Sequence, residues 1–252
     1  MRWPAEAIWE EVAPRLPGFS VEVLPEVDST NSELMRRARA GRTDPVLLVA
    51  EVQTAGRGRL GRAWASRPGA SLTCSLGLPL APVDWSGLSL VVGVAVAEAL
   101  HPAIRLKWPN DLWLHDRKLG GILVETATAG GSPAPRHAIV GIGINVQPPD
   151  PAGCSTPPAA LAELDPALDA GAALQRLAAP LVAALQAFEQ YGFAPFQARF
   201  QARDALAERP VRLSDGMAGT AHGVSERGAL LVHTAAGMVA VTSAEVSVRP
   251  AA

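Results

Sequence analysis

Residues Gly56-Arg57-Gly58-Arg59-Leu60-Gly61-Arg62-Ala63-Trp64 set three glycines and three arginines in one short stretch. Glycine lets a backbone wrap closely around a ligand. Three guanidinium groups in one loop repel each other unless an anion lies among them, and phosphate or carboxylate fits the guanidinium fork. The bland alternative is an arginine–glycine segment that is solvated or binds RNA loosely, but such segments usually come as low-complexity repeats. Here there is one copy, directly after an apolar run, so a polyanion-binding loop is expected. The G-x-x-x-x-G-K-[ST] order of a Walker A loop is absent.

A second group is Lys107-Trp108-Pro109-Asn110-Asp111, followed by Arg117-Lys118-Leu119-Gly120-Gly121. Trp108-Pro109 predicts extended backbone ahead of a turn. Asn110 and Asp111 offer oxygens suited to orienting an amine or a metal, although alone they read as turn formers. Lys118 stands before a glycine pair that opens an apolar run, so its ammonium is expected to face whatever the bare backbone admits. In Gly141-Ile142-Gly143-Ile144-Asn145 the glycines mark either a close approach of ligand or neighbouring chain, or a bulge.

The composition sharpens the case for the lysines. Of 22 cationic residues, 20 are arginine, and Lys107 and Lys118 are the only lysines. Arginine cannot replace lysine where a compact ammonium on a flexible stem is needed. The net charge of −2 creates no global field towards nucleic acid or anionic membrane. The amino-terminal stretch carries Glu6 and Glu10 where a signal peptide needs an apolar core. The most apolar run, Leu88 to Leu100, is too short to span a bilayer, which needs about 20 apolar residues. Cys74 and Cys154 lie far apart, as idle thiols in a reducing cytosol would. His101, His115, His137, His222 and His233 show no metal-ligand spacing.

The elements that must position these groups follow from local signals. A short helix falls within residues 1–20 and a strand spans Val21 to Val27. Thr30 to Glu33 fits a capping box with Thr30 as N-cap, and the helix stops at Gly41. Val46 to Val52, Ser71 to Leu78, Ile104 to Lys107, Leu112 to Leu114, Gly121 to Glu125 and His137 to Val146 read as strands. Leu88 to Leu100, apolar nearly all round, reads as a buried helix. Pro148 to Pro158 is a proline-rich loop, and helices are expected near 159–163, 170–190 and 195–208. Sheet and helix alternate irregularly, so the fold class is α+β, a mixed sheet backed by helices. Short β runs at Val211, Leu213, Leu230 to Val232 and Val239 to Val241, separated by Asp215-Gly216, Arg227-Gly228 and Ala236-Gly237, suggest a small SH3-like β-barrel. The division expected is residues 1–208 for the main domain and 209–252 for the small one.

Together these residues resemble the bacterial biotin protein ligases. The resemblance runs from Glu26-Val27-Asp28-Ser29-Thr30-Asn31 through Gln53, the glycine–arginine loop, both lysine segments and Gly141 to Asn145, and it covers about residues 20–250. It implies the biotin–lipoate ligase catalytic fold, akin to class II synthetases, and an ATP-dependent ligase forming a C–N bond. Ser29, Thr30, Asn31 and Gln53 resemble the family's biotin-ring contacts. Arg57, Gly58 and Arg59 resemble the loop that closes over biotin and its adenylate, and Gly121 and Ile122 the lining of the biotin chain. Arg62 and Trp64 match positions near the phosphates and nucleotide. Lys118 matches the lysine bridging the biotin carboxylate and the α-phosphate. Asn110, Asp111 and Asn145 match positions near nucleotide and Mg²⁺, with Mg²⁺ near Asp111 and no metal ligand fixed. Lys118, Arg57, Arg59 and Asp111 form the expected catalytic set.

The substrates so implied are biotin and ATP. The expected partner is a biotin carboxyl carrier protein, such as an acetyl-CoA carboxylase subunit, in the cytoplasm, with a homodimer possible and no membrane. Only about 25 residues precede Asp28, fewer than a winged-helix domain needs, so no DNA binding or repressor role is expected. Three rival readings are a lipoate ligase or octanoyl transferase of the same fold, a nucleic-acid-binding module using the arginine loop, and a vitamin-binding regulator without catalysis. Lys118 and the arginine set speak against the last, because holding biotin alone needs no phosphate site.

Overall fold

The computed structural model of the protein describes residues 2–128, 136–151, 156–242 and 248–250. Two sheets organise these residues. The first has seven strands in the order β1-β2-β3-β7-β6-β5-β4. They are β1 (Ser20–Val27), β2 (Val46–Gln53), β3 (Ser71–Leu80), β4 (Arg105–Lys107), β5 (Asp111–Leu114), β6 (Arg117–Ala127) and β7 (Arg136–Asn145). Only β1 and β2 run parallel; the other pairs are antiparallel. The mixed sheet expected from the irregular alternation is therefore present. The second sheet is antiparallel, in the order β11-β10-β9-β8-β12, and has the size of an SH3-like unit. Its strands are β8 (Pro210–Leu213), β9 (Ala218–Val224), β10 (Leu230–Thr234), β11 (Gly237–Val241) and β12 (Val248–Pro250).

Alternation along the strands separates the two faces of the large sheet. Leu47, Val49, Cys74, Leu76, Val140 and Ile142 point into the main core, which includes α1 (Ala5–Val12), α3 (Leu88–Leu100) and α4 (Ala170–Tyr191). Helix α3 is buried on almost every side, as its continuous apolar run dictates. The opposite face seats α2 (Thr30–Arg39) on a small cluster of Leu34, Val46, Leu48 and Ile139. Apolar residues of the second sheet, among them Val211, Leu230 and Val232, continue the main core. The Trp108 indole N–H donates to the Gly228 carbonyl at 3.0 Å, and Arg227 pairs with Asp84 at 2.8 Å.

Several elements depart from expectation. Ser29, not Thr30, caps α2: its backbone is extended and its hydroxyl accepts from the Ser32 N–H at 3.4 Å. Thr30 is already helical, which frees its hydroxyl for the site. The helix expected over 195–208 is a 3-10 turn followed by α5 (Gln197–Gln201), because Arg203 and Ala205 bond instead to β4. The helix near 159–163 is a single 3-10 turn, Leu161–Glu163. Strand β6 starts at Arg117, so Lys118 lies inside the strand rather than before it. Residues Trp108 to Asn110 form a turn with a cis Trp108–Pro109 bond instead of extended chain, and the Trp108 ring is fully buried. Strand β9 was not foreseen, since Gly219, His222 and Gly223 dilute its β pattern. Cys154 lies outside the described residues; Cys74 is buried, and burial pushes its thiol up to about 12. Among the described residues no helix is long and apolar enough to cross a membrane.

Asp204 sits where α5 leads towards the second sheet and is 7% exposed. One carboxylate oxygen accepts from the Leu206 N–H at 2.8 Å, and Oδ2 has no hydrogen-bond partner among the described residues. Burial raises its pKa to about 6, against the opposing pull of Leu206 and Arg105. The folded chain thus binds this proton more tightly than the unfolded chain does, so stability falls as pH rises from about 4 to 6 and stays lower above it. Asp204→Asn should abolish that segment of the stability profile. It should also raise the melting temperature at pH 7.5 by a few degrees, for a gain on the order of 1–2 kcal/mol. Thermal melts at pH 5 and 7.5 check this; an unchanged pH dependence refutes it.

Candidate active site

One cross-strand row assembles the site. Register pairs Leu24 with Ala50, Ala50 with Thr73, Thr73 with Gly143, Gly143 with Gly121, Gly121 with Asp111 and Asp111 with Lys107. The row crosses all seven strands on the face that carries α2. At its centre stand threonine and two glycines, so the sheet there is backbone with little side chain above it. Towards β4 stand the charged residues. A register shift between Leu112 and Trp113 inserts an extra residue in β6, and pairs Trp113 with Lys118. Such a bulge re-aims side chains. It turns Lys118 onto the same face as Asp111 and Gly121, where strict alternation would have pointed it away.

The glycines of β7 sit in a regular ladder, not a bulge. A Cβ on Gly141 would lie under 3.0 Å from the Asn31 side-chain oxygen, and one on Gly143 would lie 2.6 Å from the Trp64 ring. Both glycines therefore exist to let side chains from α2 and from the glycine–arginine loop lie against the sheet. Gly56 serves a similar close approach, its Cα facing the Trp64 carbonyl. The loop closes on itself: Gly58 N–H donates to the Arg62 carbonyl at 2.7 Å, and Trp64 N–H to the Gly56 carbonyl at 2.8 Å. Leu60 at its tip has φ of 56° and is exposed.

A polar chain runs from loop to sheet at the start of α2. The Gln53 side-chain oxygen accepts from the Thr30 N–H at 2.8 Å and lies 3.1 Å from the Thr30 hydroxyl. The Ser75 hydroxyl is 2.7 Å from that of Thr30 and 2.6 Å from Asn31 Oδ1. Asn31 Nδ2 donates to Glu125 at 2.8 Å and to the Leu123 carbonyl at 3.1 Å. Arg57 pairs with Glu125 at 2.9 Å. Ser29, Thr30 and Asn31 are all buried. Just outside, Arg36 holds the Asp28 carboxyl down to about 2 and so braces the start of α2.

The second half of the site is cationic. Lys118 Nζ donates to Asp111 Oδ1 at 2.8 Å, and Lys107 lies 3.8 Å from Asp111 Oδ2. Arg59 donates to the Asn110 side-chain oxygen at 3.3 Å, while Asn110 Nδ2 donates to the Ile122 carbonyl at 2.8 Å. Burial weakens the hold of Arg59 on its proton, Asp111 opposes that, and Arg62 adds to it. Arg62 itself is exposed at the loop end. A cavity of about 320 Å³ opens beside Arg59 and Asn110, reaching Trp85, Val124 and Arg136.

The structure thus gathers Thr30, Asn31, Gln53 and Arg57, behind the Ser29 cap, around Ser75, Gly141 and Glu125 on the middle strands. The loop of Gly58 sets Trp64 on Gly143 at the centre of the row, and Arg59, Asn110, Asp111, Lys118 and Gly121 gather towards β4. Two expected residues behave differently. Ile122 points into the main core, away from the row, so Gly121 and Leu123 offer themselves to a ligand on this face instead. The Asn145 amide donates to the carbonyls of Lys118 and Ala159 at 3.3 and 3.0 Å, anchoring the strand that carries Lys118. Sequence reasoning missed Thr73, Ser75 and Glu125, and it singled out Lys107 without giving it a role. Thr73 and Ser75 had a signal: polar residues at every second position of an otherwise apolar buried strand.

Mg²⁺ near Asp111 finds little support in the donor set. Both Asp111 oxygens already face ammonium groups, and the described residues contain no group of three or more His, Cys, Asp or Glu placed to hold a metal. An ion carried in on nucleotide phosphates would belong to the substrate.

Comparison with known proteins identifies the family. The profile of the biotin/lipoate A/B protein ligase family matches residues 23–145, and that of the biotin protein ligase C-terminal domain matches residues 208–249. The chain is 39% identical to the bifunctional ligase/repressor BirA of Escherichia coli, over 88% of this chain and 72% of that one. It is 36% identical to the biotin–[acetyl-CoA-carboxylase] ligase of Paracoccus denitrificans, over 89% and 98% of the two chains. The solved structure of the Aquifex aeolicus biotin protein ligase in complex with biotin and ATP superposes with a TM-score of 0.78 at 31% identity, covering 92% of this chain and 99% of that one. With the glycine row, the α2 polar chain and the lysine pair in register on one sheet face, the chain belongs to the biotin protein ligases of the biotin/lipoate A/B protein ligase family.

Proposed function

We propose that this protein activates biotin with ATP to biotinyl-AMP and transfers the biotinyl group to a lysine of a biotin carboxyl carrier protein. The observation that carries this reading is a single sheet face on which a neutral polar pocket around Ser75 and Gly141 adjoins, across bare glycines, a cationic one around Asp111. Thr30, Asn31, Gln53 and Ser75 suit the ureido head, which has both donors and an acceptor. The glycine floor between them and Lys118 accommodates a flat, extended chain, and the lysine–arginine end receives the carboxylate and phosphates.

In the first step the biotin carboxylate attacks the α-phosphorus, and pyrophosphate leaves with the electron pair of the broken P–O bond. Two anions must meet, at a cost of about 4 kcal/mol per unit-charge pair at 4 Å and an effective dielectric of 20. Lys118, Arg57, Arg59 and Arg62 offset that repulsion and fix the in-line approach. In this structure Arg57 and Lys118 are each held by a carboxylate, so substrate binding exchanges Glu125 and Asp111 for substrate anions. The mixed anhydride hydrolyses readily, and closure of the glycine–arginine loop excludes water. In the second step the carrier amine attacks the acyl carbon and AMP departs. Asp111 orients that amine and takes its proton.

The decisive test is incubation with ATP, Mg²⁺ and either biotin or lipoate, with mass spectrometry of the acyl-adenylate and of an added carrier domain. Biotinyl-AMP and a biotinylated lysine are expected; lipoyl-AMP alone moves the protein to the rival ligase. Ser75→Ala should weaken biotin binding about tenfold, the scale of one buried hydrogen bond, and leave the KM for ATP within threefold. Calorimetry with biotin measures it, and unchanged affinity removes Ser75 from the pocket.

A further inference from the structure

We propose that Lys107 is a positioning residue: it is the second counter-ion of Asp111, and it allows Lys118 to leave that carboxylate for the substrate. The inference rests on the adenylation reading above. It starts from composition and ends in geometry. The chain uses arginine for 20 of its 22 cations, yet both of its lysines face the two oxygens of one carboxylate. Lys118 Nζ is at 2.8 Å from Oδ1 and is partly open to solvent, beside the bare backbone of Gly121. Lys107 Nζ is at 3.8 Å from Oδ2, is 9% exposed, and lies 5.4 Å from the centre of the Trp113 ring. The pair differs in strength as well as in exposure: one contact is a full hydrogen bond, the other a loose ion pair.

That asymmetry suits an exchange. Asp111 is partly buried, and an ionised carboxylate stripped of its only partner in such a place is costly. If Lys118 were the sole counter-ion, its transfer to the substrate carboxylate and α-phosphate would leave Asp111 uncompensated, and the resting pair would hold it back. Lys107, anchored in β4 and directly opposite Asp111 in the ladder, has about 1 Å to close to make a full hydrogen bond. It then takes over the carboxylate as Lys118 departs. Trp113 serves it in the resting state, since a ring face stabilises an ammonium that is not fully paired. Burial, Lys118, Arg62 and Arg249 all weaken the proton affinity of Lys107, and Asp111 is the group that opposes them. The ammonium therefore depends on Asp111 as much as Asp111 depends on it.

Single-turnover formation of biotinyl-AMP in four proteins tests the exchange: wild type, Lys107→Met, Asp111→Asn and the double variant. Lys107→Met should slow adenylation by about 30-fold, less than loss of a group that touches the reacting atoms. In the Asp111→Asn background there is no carboxylate to compensate, so the same Lys107→Met change should alter the rate by no more than about threefold, a strong coupling between the two sites. A merely structural lysine would slow both backgrounds alike, and that result overturns the proposal. Should Lys107→Met fail to fold because a buried carboxylate is left unpaired, the comparison of Asp111→Asn with the double variant decides alone: rates within about threefold support the proposal, and a drop of tenfold or more refutes it. A wild-type chain that makes no biotinyl-AMP would instead refute the function proposed above, so the two failures are distinguishable.

Discussion

Lys118→Ala should form biotinyl-AMP roughly 10²–10³-fold more slowly than the wild-type chain, the scale of one preorganised electrostatic group. The bulge between β5 and β6 turns Lys118 over the glycine floor, where its ammonium lies beside Gly121 and pairs with Asp111. Its charge is most needed as carboxylate and phosphate approach, so the loss should fall on the rate constant more than on the KM for ATP. Lys118→Arg keeps the charge but replaces a compact donor with a planar fork, and the close approach to Gly121 leaves little room for it. It should restore less than a tenth of the lost rate. Rapid-quench measurement of the adenylate in a single turnover reads both variants. A Lys118→Ala protein within about threefold of wild type would remove Lys118 from the centre of the site.

The second large effect is expected at Gly141. Alanine there pushes a methyl group under 3.0 Å from the Asn31 oxygen. Asn31 cannot move without giving up Ser75, Glu125 or the Leu123 carbonyl. Breaking one or two such buried bonds costs about 1–3 kcal/mol each, so biotin affinity should fall about 10²-fold. ATP binding alone should change little, because the bonds that Asn31 makes go to Ser75, Leu123 and Glu125 and not to Arg59, Asp111 or Lys118. The double variant Asn31→Ala/Gly141→Ala removes the clashing amide and should bind biotin no worse than Asn31→Ala. Calorimetric titration of the three proteins checks this. If Gly141→Ala binds biotin within about threefold of wild type, the packing of Asn31 on β7 is not what shapes the pocket.

Local chemistry in the sequence was enough to mark most of the groups to which the proposed reaction gives a role. A glycine–arginine loop can only be an anion site or a solvated segment, a lysine kept in an arginine-rich chain needs its shape, and apolar periodicity places α3 and most strands. These signals are legible because glycine freedom, charge and amphipathic period are properties of short stretches. Which groups face each other was decided elsewhere. The row from Ala50 through Thr73, Gly143, Gly121 and Asp111 to Lys107 joins residues up to 93 positions apart, and pairing register is set by contacts between distant strands. One bulge decides that Lys118 looks into the site, while plain alternation buries Ile122 in the core. Tertiary packing also made Ser29 the cap of α2, freed Thr30 for Gln53 and Ser75, and turned Asn145 into an anchor. Glu125 carries no local mark because its role exists only opposite Asn31 and Arg57, and Lys107, marked by composition, finds its partner only when β4 pairs with β5. A side chain's type is written in the chain, but its partner is fixed only when the sheet closes, because a single-residue shift in register sends every side chain of a strand to the other face.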